Sequence, residues 1–201
     1  NQTLLANLSS IVSLSVSPDE GYVVFDRGVW GDRDIYLYDL QNHELRNLTP
    51  SPTDNYYPMW SPEGNAITFV SNRAKGHDLY SLNLDDGVLT QLTYTNQSVI
   101  NFRFLVLDNE YVLYEGITDL YTHNFYLLHL ATGNNELLFS KTHVLGSDVS
   151  PDGTQLVFSF TESGLHRADE TQSYIVDLIT REFTFVDMQN YFSPPRWGHF
   201  R

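Results

Sequence analysis

Seven histidines, 25 acidic residues and no cysteine bound the chemistry open to this 201-residue chain. Without a thiolate there can be no disulfide and no cysteine-bound zinc. The histidines show no His-x-x-x-His pair, the spacing that places two imidazoles on one helix face to hold a metal. Acyl transfer needs an exposed nucleophile, a base and an oxyanion donor pair, and no Gly-x-Ser-x-Gly elbow occurs. Serines concentrate instead at turns and strand ends. Asp19 and Asp152 sit in Ser-Pro-Asp turns, where a carboxylate caps its own turn. Asp85-Asp86-Gly87 reads as a hairpin turn, since a single acidic turn is not a calcium loop. No catalytic residue, metal or cofactor is expected.

The elements that position these residues come in repeats. The stretch Tyr57–Leu84 holds a short apolar run ending at Trp60, the turn Ser61-Pro62-Glu63-Gly64, a second run Ala66–Val70, a loop, and a third run Asp78–Leu84. The turn recurs as Ser17-Pro18-Asp19-Glu20-Gly21 and Ser150-Pro151-Asp152-Gly153, and a degenerate copy is expected at Leu107-Asp108-Asn109-Glu110. Tyr36, Tyr80, Tyr126 and Tyr174 follow one another at 44, 46 and 48 residues, and a leucine stands four places after each. Short runs of β-branched and aromatic residues between turn formers are strands, and no helical apolar stripe is sustained. Four strands per unit of about 44 residues is the pattern of a propeller blade.

The fold expected is therefore an all-β propeller of four-stranded antiparallel blades. The whole of 1–201 is one such domain or a segment of one, with complete blades near 12–51, 55–95, 100–140 and 146–187. Residues 3–10 and 194–201 read as partial blade strands, so another chain segment or an oligomer would complete the ring. The formal net charge of −14 repels phosphate backbones and anionic lipid, so nucleic-acid binding is disfavoured. No run approaches 18 consecutive apolar residues, so no membrane insertion is expected.

With turns and tyrosines placed, the chain resembles the TolB-type propeller repeats, also called PD40 or WD40-like. Trp60-Ser61-Pro62-Glu63-Gly64, Phe69-Val70-Ser71-Asn72-Arg73, Gly76, Leu79-Tyr80 and Leu92-Thr93 carry the resemblance most closely. Ser17-Pro18-Asp19, Phe25, Arg27, Ile35–Asp39 and Leu48-Thr49 carry it well. The third blade keeps the tyrosine and the apolar frame, and the fourth keeps its turn. The resemblance implies a partner-binding module of extracytoplasmic proteins, taking a protein, peptide or glycan. It also implies an alternative, the propeller (substrate-gating) domain of a larger serine hydrolase or peptidase. A third reading, a polysaccharide lyase, would need histidines and acids clustered at the channel mouth.

In a blade, the loops after strands two and four emerge at one mouth of the ring. Here these are read as 26–33, 49–57, 71–77, 115–123, 161–171 and 187–195, all long and varied. Trp30, Tyr56, Tyr57, Arg73, His77, Tyr121, His123, His166, Arg167 and Tyr191 would gather there, and aromatics with arginine suit a binding face. Tyr57 and Arg73 also admit a structural reading, Arg73 as the partner of an acid on a neighbouring blade. His77 and His123, at equivalent places before a third strand, likewise read as polar loop-to-strand residues.

Overall fold

The computed structural model describes residues 10–95, 97–105, 110–162 and 171–186. The expected partial strands at 3–10 and 194–201 lie almost wholly outside these residues, as does most of the degenerate turn at 107–110. Among the described residues there is no helix, and sixteen strands form four sheets of four. The first sheet holds β1 (Ile11–Val16), β2 (Tyr22–Val29), β3 (Asp32–Asp39) and β4 (Leu45–Asn47). The second holds β5 (Asn55–Trp60), β6 (Ala66–Ser71), β7 (Asp78–Asn83) and β8 (Leu89–Gln91). The third holds β9 (Ser98–Phe104), β10 (Tyr111–Ile117), β11 (Thr122–His129) and β12 (Asn135–Thr142). The fourth holds β13 (Val144–Val149), β14 (Gln155–Thr161), β15 (Thr171–Asp177) and β16 (Phe183–Val186). In every sheet neighbours in sequence are neighbours in space, as in blades made from consecutive hairpins.

The recurring tyrosine has a single structural cause. In each sheet it lies directly across from an aromatic of the second strand: Phe25↔Tyr36, Phe69↔Tyr80, Tyr114↔Tyr126 and Phe158↔Tyr174. The rings stack with centroids 6.0, 6.4, 4.9 and 6.0 Å apart. Cross-strand aromatic pairs of this kind fix register as well as adding to stability.

The turns are equally explicable. Ser17 Oγ donates to Asp19 Oδ1 at 2.6 Å and accepts from Tyr22 N at 2.9 Å. Ser150 Oγ does the same with Asp152, at 2.5 Å, and Gln155 N, at 2.9 Å. These bonds hold the carboxyls of Asp19 and Asp152 below the usual range, the serine hydroxyl contributing most. Both acids cap their own turns, as the sequence indicates. Gly64 and Gly153 close their turns with φ of 74° and 72°, a left-handed conformation that glycine adopts without strain.

The chain divides into two compact units, 1–99 and 100–201. In the first, Val24, Ile35 and Leu37 of the first sheet pack with Trp60, Ile67, Phe69 and Tyr80 of the second. In the other, Leu113, Phe125 and Leu127 pack with Leu156, Phe158, Phe160 and Val176. Each unit is thus a pair of sheets whose apolar faces cover one another.

The Leu-Thr step after the fourth strand acts as a polar clamp within this apolar frame. Thr49 Oγ1 accepts from Ile35 N and Thr93 Oγ1 from Leu79 N, both at 2.9 Å. Each threonine then donates to the aspartate two places before the recurring tyrosine, at 3.3 Å to Asp34 and 2.9 Å to Asp78. Sheet three carries an amide instead, with Ser140 Oγ donating to Asn124 Oδ1 at 2.6 Å.

Candidate functional site

The long loop expected at 26–33 is mostly strand. β2 runs through Val29 and β3 begins at Asp32, leaving Trp30-Gly31 as a two-residue hairpin. Gly28 and Gly31, with φ of 139° and 94°, allow so tight a return. A Cβ on Gly28 would meet Asp32 O at 2.3 Å, so the site demands glycine. These two glycines let the strands continue through most of the expected loop. Likewise Tyr56 and Tyr57 belong to β5, and only 118–121 separate β10 from β11.

Trp30 at the hairpin tip is 70% exposed. It is held by its neighbours: the rings of Tyr56 and His77 each lie 6.3 Å away, His77 stacked, and the Arg33 guanidinium lies over its ring at 5.9 Å. Asp54 Oδ1 accepts from Gly31 N at 2.7 Å and anchors the tip to the second sheet. Tyr56 is buried, and its hydroxyl lies 2.5 Å from His77 Nδ1. Burial, with the negative potential of Tyr57 and Asp54, pushes the Tyr56 phenol up to about 12. It therefore stays a neutral hydroxyl at physiological pH.

Tyr57 owes its position to a bulge. In β5 the register slips between Tyr56↔Val70 and Met59↔Thr68, and Tyr57 adopts a φ of 55°. A bulge adds one residue and re-aims the side chains around it. Here it lets two consecutive tyrosines take opposite roles, with Tyr56 buried and Tyr57 40% exposed. The two rings meet edge-on at 5.1 Å. A bulky residue in left-handed backbone carries about 1–2 kcal/mol of strain, and such strain collects at functional sites.

Of the residues expected to gather, Trp30, Tyr56, Tyr57 and His77 stand together at this end of the first unit. Arg73 does not join them. Its Nε and Nη2 donate to Ser71 Oγ and Asn55 Oδ1, each at 2.9 Å, and its guanidinium stacks 4.9 Å from the Tyr80 ring. The acid expected on a neighbouring blade is not its partner; uncharged acceptors of its own sheet are. Burial lowers its pKa.

Tyr121 and His123 lie in the second unit. Tyr121 is exposed and sits against His143, with ring centroids 5.1 Å apart. His123 Nδ1 donates to Glu115 Oε1 at 2.6 Å, while Glu115 Oε2 accepts from Ser147 Oγ at 3.0 Å. His166, Arg167 and Tyr191 lie outside the described residues.

Three contributors escaped sequence reasoning: Arg33, Asp54 and Glu115. Arg33, His77 and His123 each stand three places before the recurring tyrosine. The residue after the paired aromatic is Asp26 in sheet one, Val70 in sheet two and Glu115 in sheet three. Where that residue is an acid it takes the cation, with Arg33 to Asp26 at 3.5 Å and His123 to Glu115 at 2.6 Å. In sheet two the valine offers nothing, and His77 bonds Tyr56 instead. Reading those two columns together would have predicted the difference.

Chemically, this end of the first unit offers an exposed indole, a phenol and a guanidinium in fixed geometry. Among the described residues no group of three or more His, Asp or Glu side chains is placed to hold a metal ion.

Four consecutive antiparallel sheets, each with an aromatic of its second strand facing the recurring tyrosine of its third, define a β-propeller repeat protein. The family model described as the TolB beta propeller domain (PD40) matches residues 3–200, and the chain belongs to that family. An uncharacterized protein of Agrobacterium fabrum is 34% identical over 80 residues, covering 39% of this chain and 27% of that protein. TolB from Acinetobacter baumannii is similar in structure, with a TM-score of 0.69 at 20% identity over 90% of this chain and 44% of that one. A puromycin-hydrolyzing peptidase of Mycobacterium tuberculosis has a TM-score of 0.72 at 14% identity, over 94% of this chain and 31% of that one. At these identities the structural likenesses concern the fold. This chain spans less than half the length of each of the three.

Proposed function

We propose that this chain is a non-catalytic binding module that presents the Trp30 end of its first unit to a protein or peptide partner. One observation carries the reading: a tryptophan 70% exposed, yet fixed by a two-residue hairpin, a stacked histidine and an arginine over its ring. An exposed indole gains nothing for the isolated fold. Aromatic anchors held rigid before binding lose little entropy on contact, which is why Trp, Tyr and Arg dominate binding energy at interfaces. The strain accepted at Tyr57 supports the same reading. Family membership supports a protein partner over a glycan and a location outside the cytoplasm.

A photo-crosslinking residue at position 30 in the full-length protein, in its own cells, tests this reading. A discrete protein adduct is expected there and not from Val88, an exposed apolar residue at the other end of the same unit. Identical adduct patterns from both positions would refute it.

The likeness to the puromycin-hydrolyzing peptidase, of which the chain covers 31%, supports a second reading. In it the same module is the substrate-gating domain of a larger hydrolase. A hydrolase segment encoded in frame with this chain, and a change in its substrate size limit on Trp30→Ala, would select that reading.

A further inference from the structure

The other end of the first unit, away from Trp30, holds a cavity of about 330 Å³. It lies where the Ser-Pro turn of sheet one meets that of sheet two: a Cβ on Gly64 would come 3.5 Å from Pro18 Cδ. Leu37, Leu84 and Pro18 line it with hydrocarbon, and Tyr22 and Trp60 add a tilted aromatic pair with centroids 6.2 Å apart. Trp60 is only 6% exposed, and its Nε1–H has no acceptor among the described residues. The volume falls at the lower end of the range for small-molecule sites, and the lining mixes hydrocarbon and aromatic groups with charged ones.

The polar groups set the charge of the ligand. Asp19, Glu63 and Asp85 line the cavity against one cation, Arg46. Asp19 is ionised, because Ser17 Oγ and Gly21 N hold its carboxyl below the usual range. Glu63 and Asp85 are exposed residues of the β5–β6 and β7–β8 turns. An excess of carboxylates beside paired aromatic rings suits a cation, and the hydrocarbon walls suit an apolar stem behind it.

We propose that this cavity binds an organic ammonium ion carried on an apolar stem. The ammonium sits among Glu63, Asp85 and Asp19, and the stem lies along Leu37, Leu84 and the Tyr22–Trp60 pair. Arg46 disfavours ligands of higher positive charge and leaves room for a neutral acceptor such as an amide carbonyl. The proposal stands apart from the reading of the Trp30 end, since the two sites share no residue.

The test is titration of the folded chain with n-hexylammonium, 1-hexanol and hexanoate, followed by the Trp60 indole N–H resonance. Hexylammonium is expected to bind tightest and hexanoate weakest. The double variant Glu63→Gln/Asp85→Asn should weaken hexylammonium about tenfold, at a few-fold per exposed charge, and leave hexanol unchanged. Equal binding of hexylammonium and hexanol, preference for hexanoate, or an indifferent double variant would each overturn the proposal. Both substitutions lie in exposed turns, and an unchanged amide spectrum confirms folding. An acetyl-Gly-Lys-Gly-amide arm separates sources: tighter binding than n-butylammonium assigns the ammonium to a peptide side chain, weaker binding to a free amine.

Discussion

The two units share one scaffold and differ in what they place at equivalent positions. In the first, Asp78 opens a third strand almost wholly buried, accepting from Thr93 Oγ1, Thr95 N and Thr95 Oγ1 at 2.9, 3.0 and 3.1 Å. Its counterpart in the second unit, Asn124, accepts from Ser140 Oγ at 2.6 Å. The histidines diverge in the same way: His77 serves an aromatic cluster, His123 a buried carboxylate. Aromatic stacking recurs in every sheet, and the Ser-Pro turn occurs in both units, at Ser17 and Ser61 in the first and at Ser150 in the second. The polar side chains around the strand ends answer only to local neighbours, so they are free to differ.

The comparison breaks first at the clamps. Asp78→Ala strips the acceptor from four donors, Gln91 Nε2 among them at 3.3 Å, and should cost about 3 kcal/mol in urea unfolding, while Asn124→Ala should cost about 1 kcal/mol. Equal losses would mean that the charged clamp contributes no more than the amide. Glu115→Gln should come next, at about 1–2 kcal/mol, since it weakens the charge-assisted bond to His123; the Val70 position shows that a blade can dispense with this acid, and a loss near zero would extend that conclusion to sheet three. The shared turns sharpen the comparison from the other side. Gly64→Ala and Gly153→Ala both force a side chain onto left-handed backbone, and each should cost about 1 kcal/mol whichever unit it lies in.

Acid should expose the smaller contribution of the exposed turn caps. Asp19 and Asp39 in the first unit, and Asp119, Asp152 and Asp177 in the second, all have carboxyls lowered from 3.8 by hydrogen bonds to serine, backbone or asparagine donors. A carboxyl depressed in the folded state stabilises above its unfolded pKa, and that stability is lost as pH falls through the folded one. Thermal midpoints should therefore begin to fall as pH drops past about 4, and Asp152→Asn should flatten the slope. The smallest effect is expected at Trp30→Ala, within about 0.5 kcal/mol of the parent by thermal unfolding. A larger loss would give Trp30 a structural duty and weaken its role as a binding anchor.

Much of the fold was legible in the sequence. Tyr36, Tyr80, Tyr126 and Tyr174 marked the blades because each must face an aromatic one strand away, a constraint that repeats with the unit. Ser17, Ser61 and Ser150 marked the turns because their hydroxyls bond residues a few places on. The hairpin at Trp30-Gly31 was misread as a long loop, since Gly28 and Gly31 signal loops and tight returns alike. Arg73 was expected to pair with a neighbouring acid, and its partners Asn55 and Ser71 gave no sign in composition.

The phase of the strands is written in the order of residues, because aromatic pairing and turn capping depend on residues close along the chain or at a fixed interval. The tertiary structure alone decided which side chains meet at the strand ends. His77 reaches Tyr56 because valine stands where sheets one and three carry an acid, and because a bulge turns Tyr56 inward and Tyr57 out. Such contacts join residues about twenty positions apart through one local slip of register, and no periodic pattern records a slip.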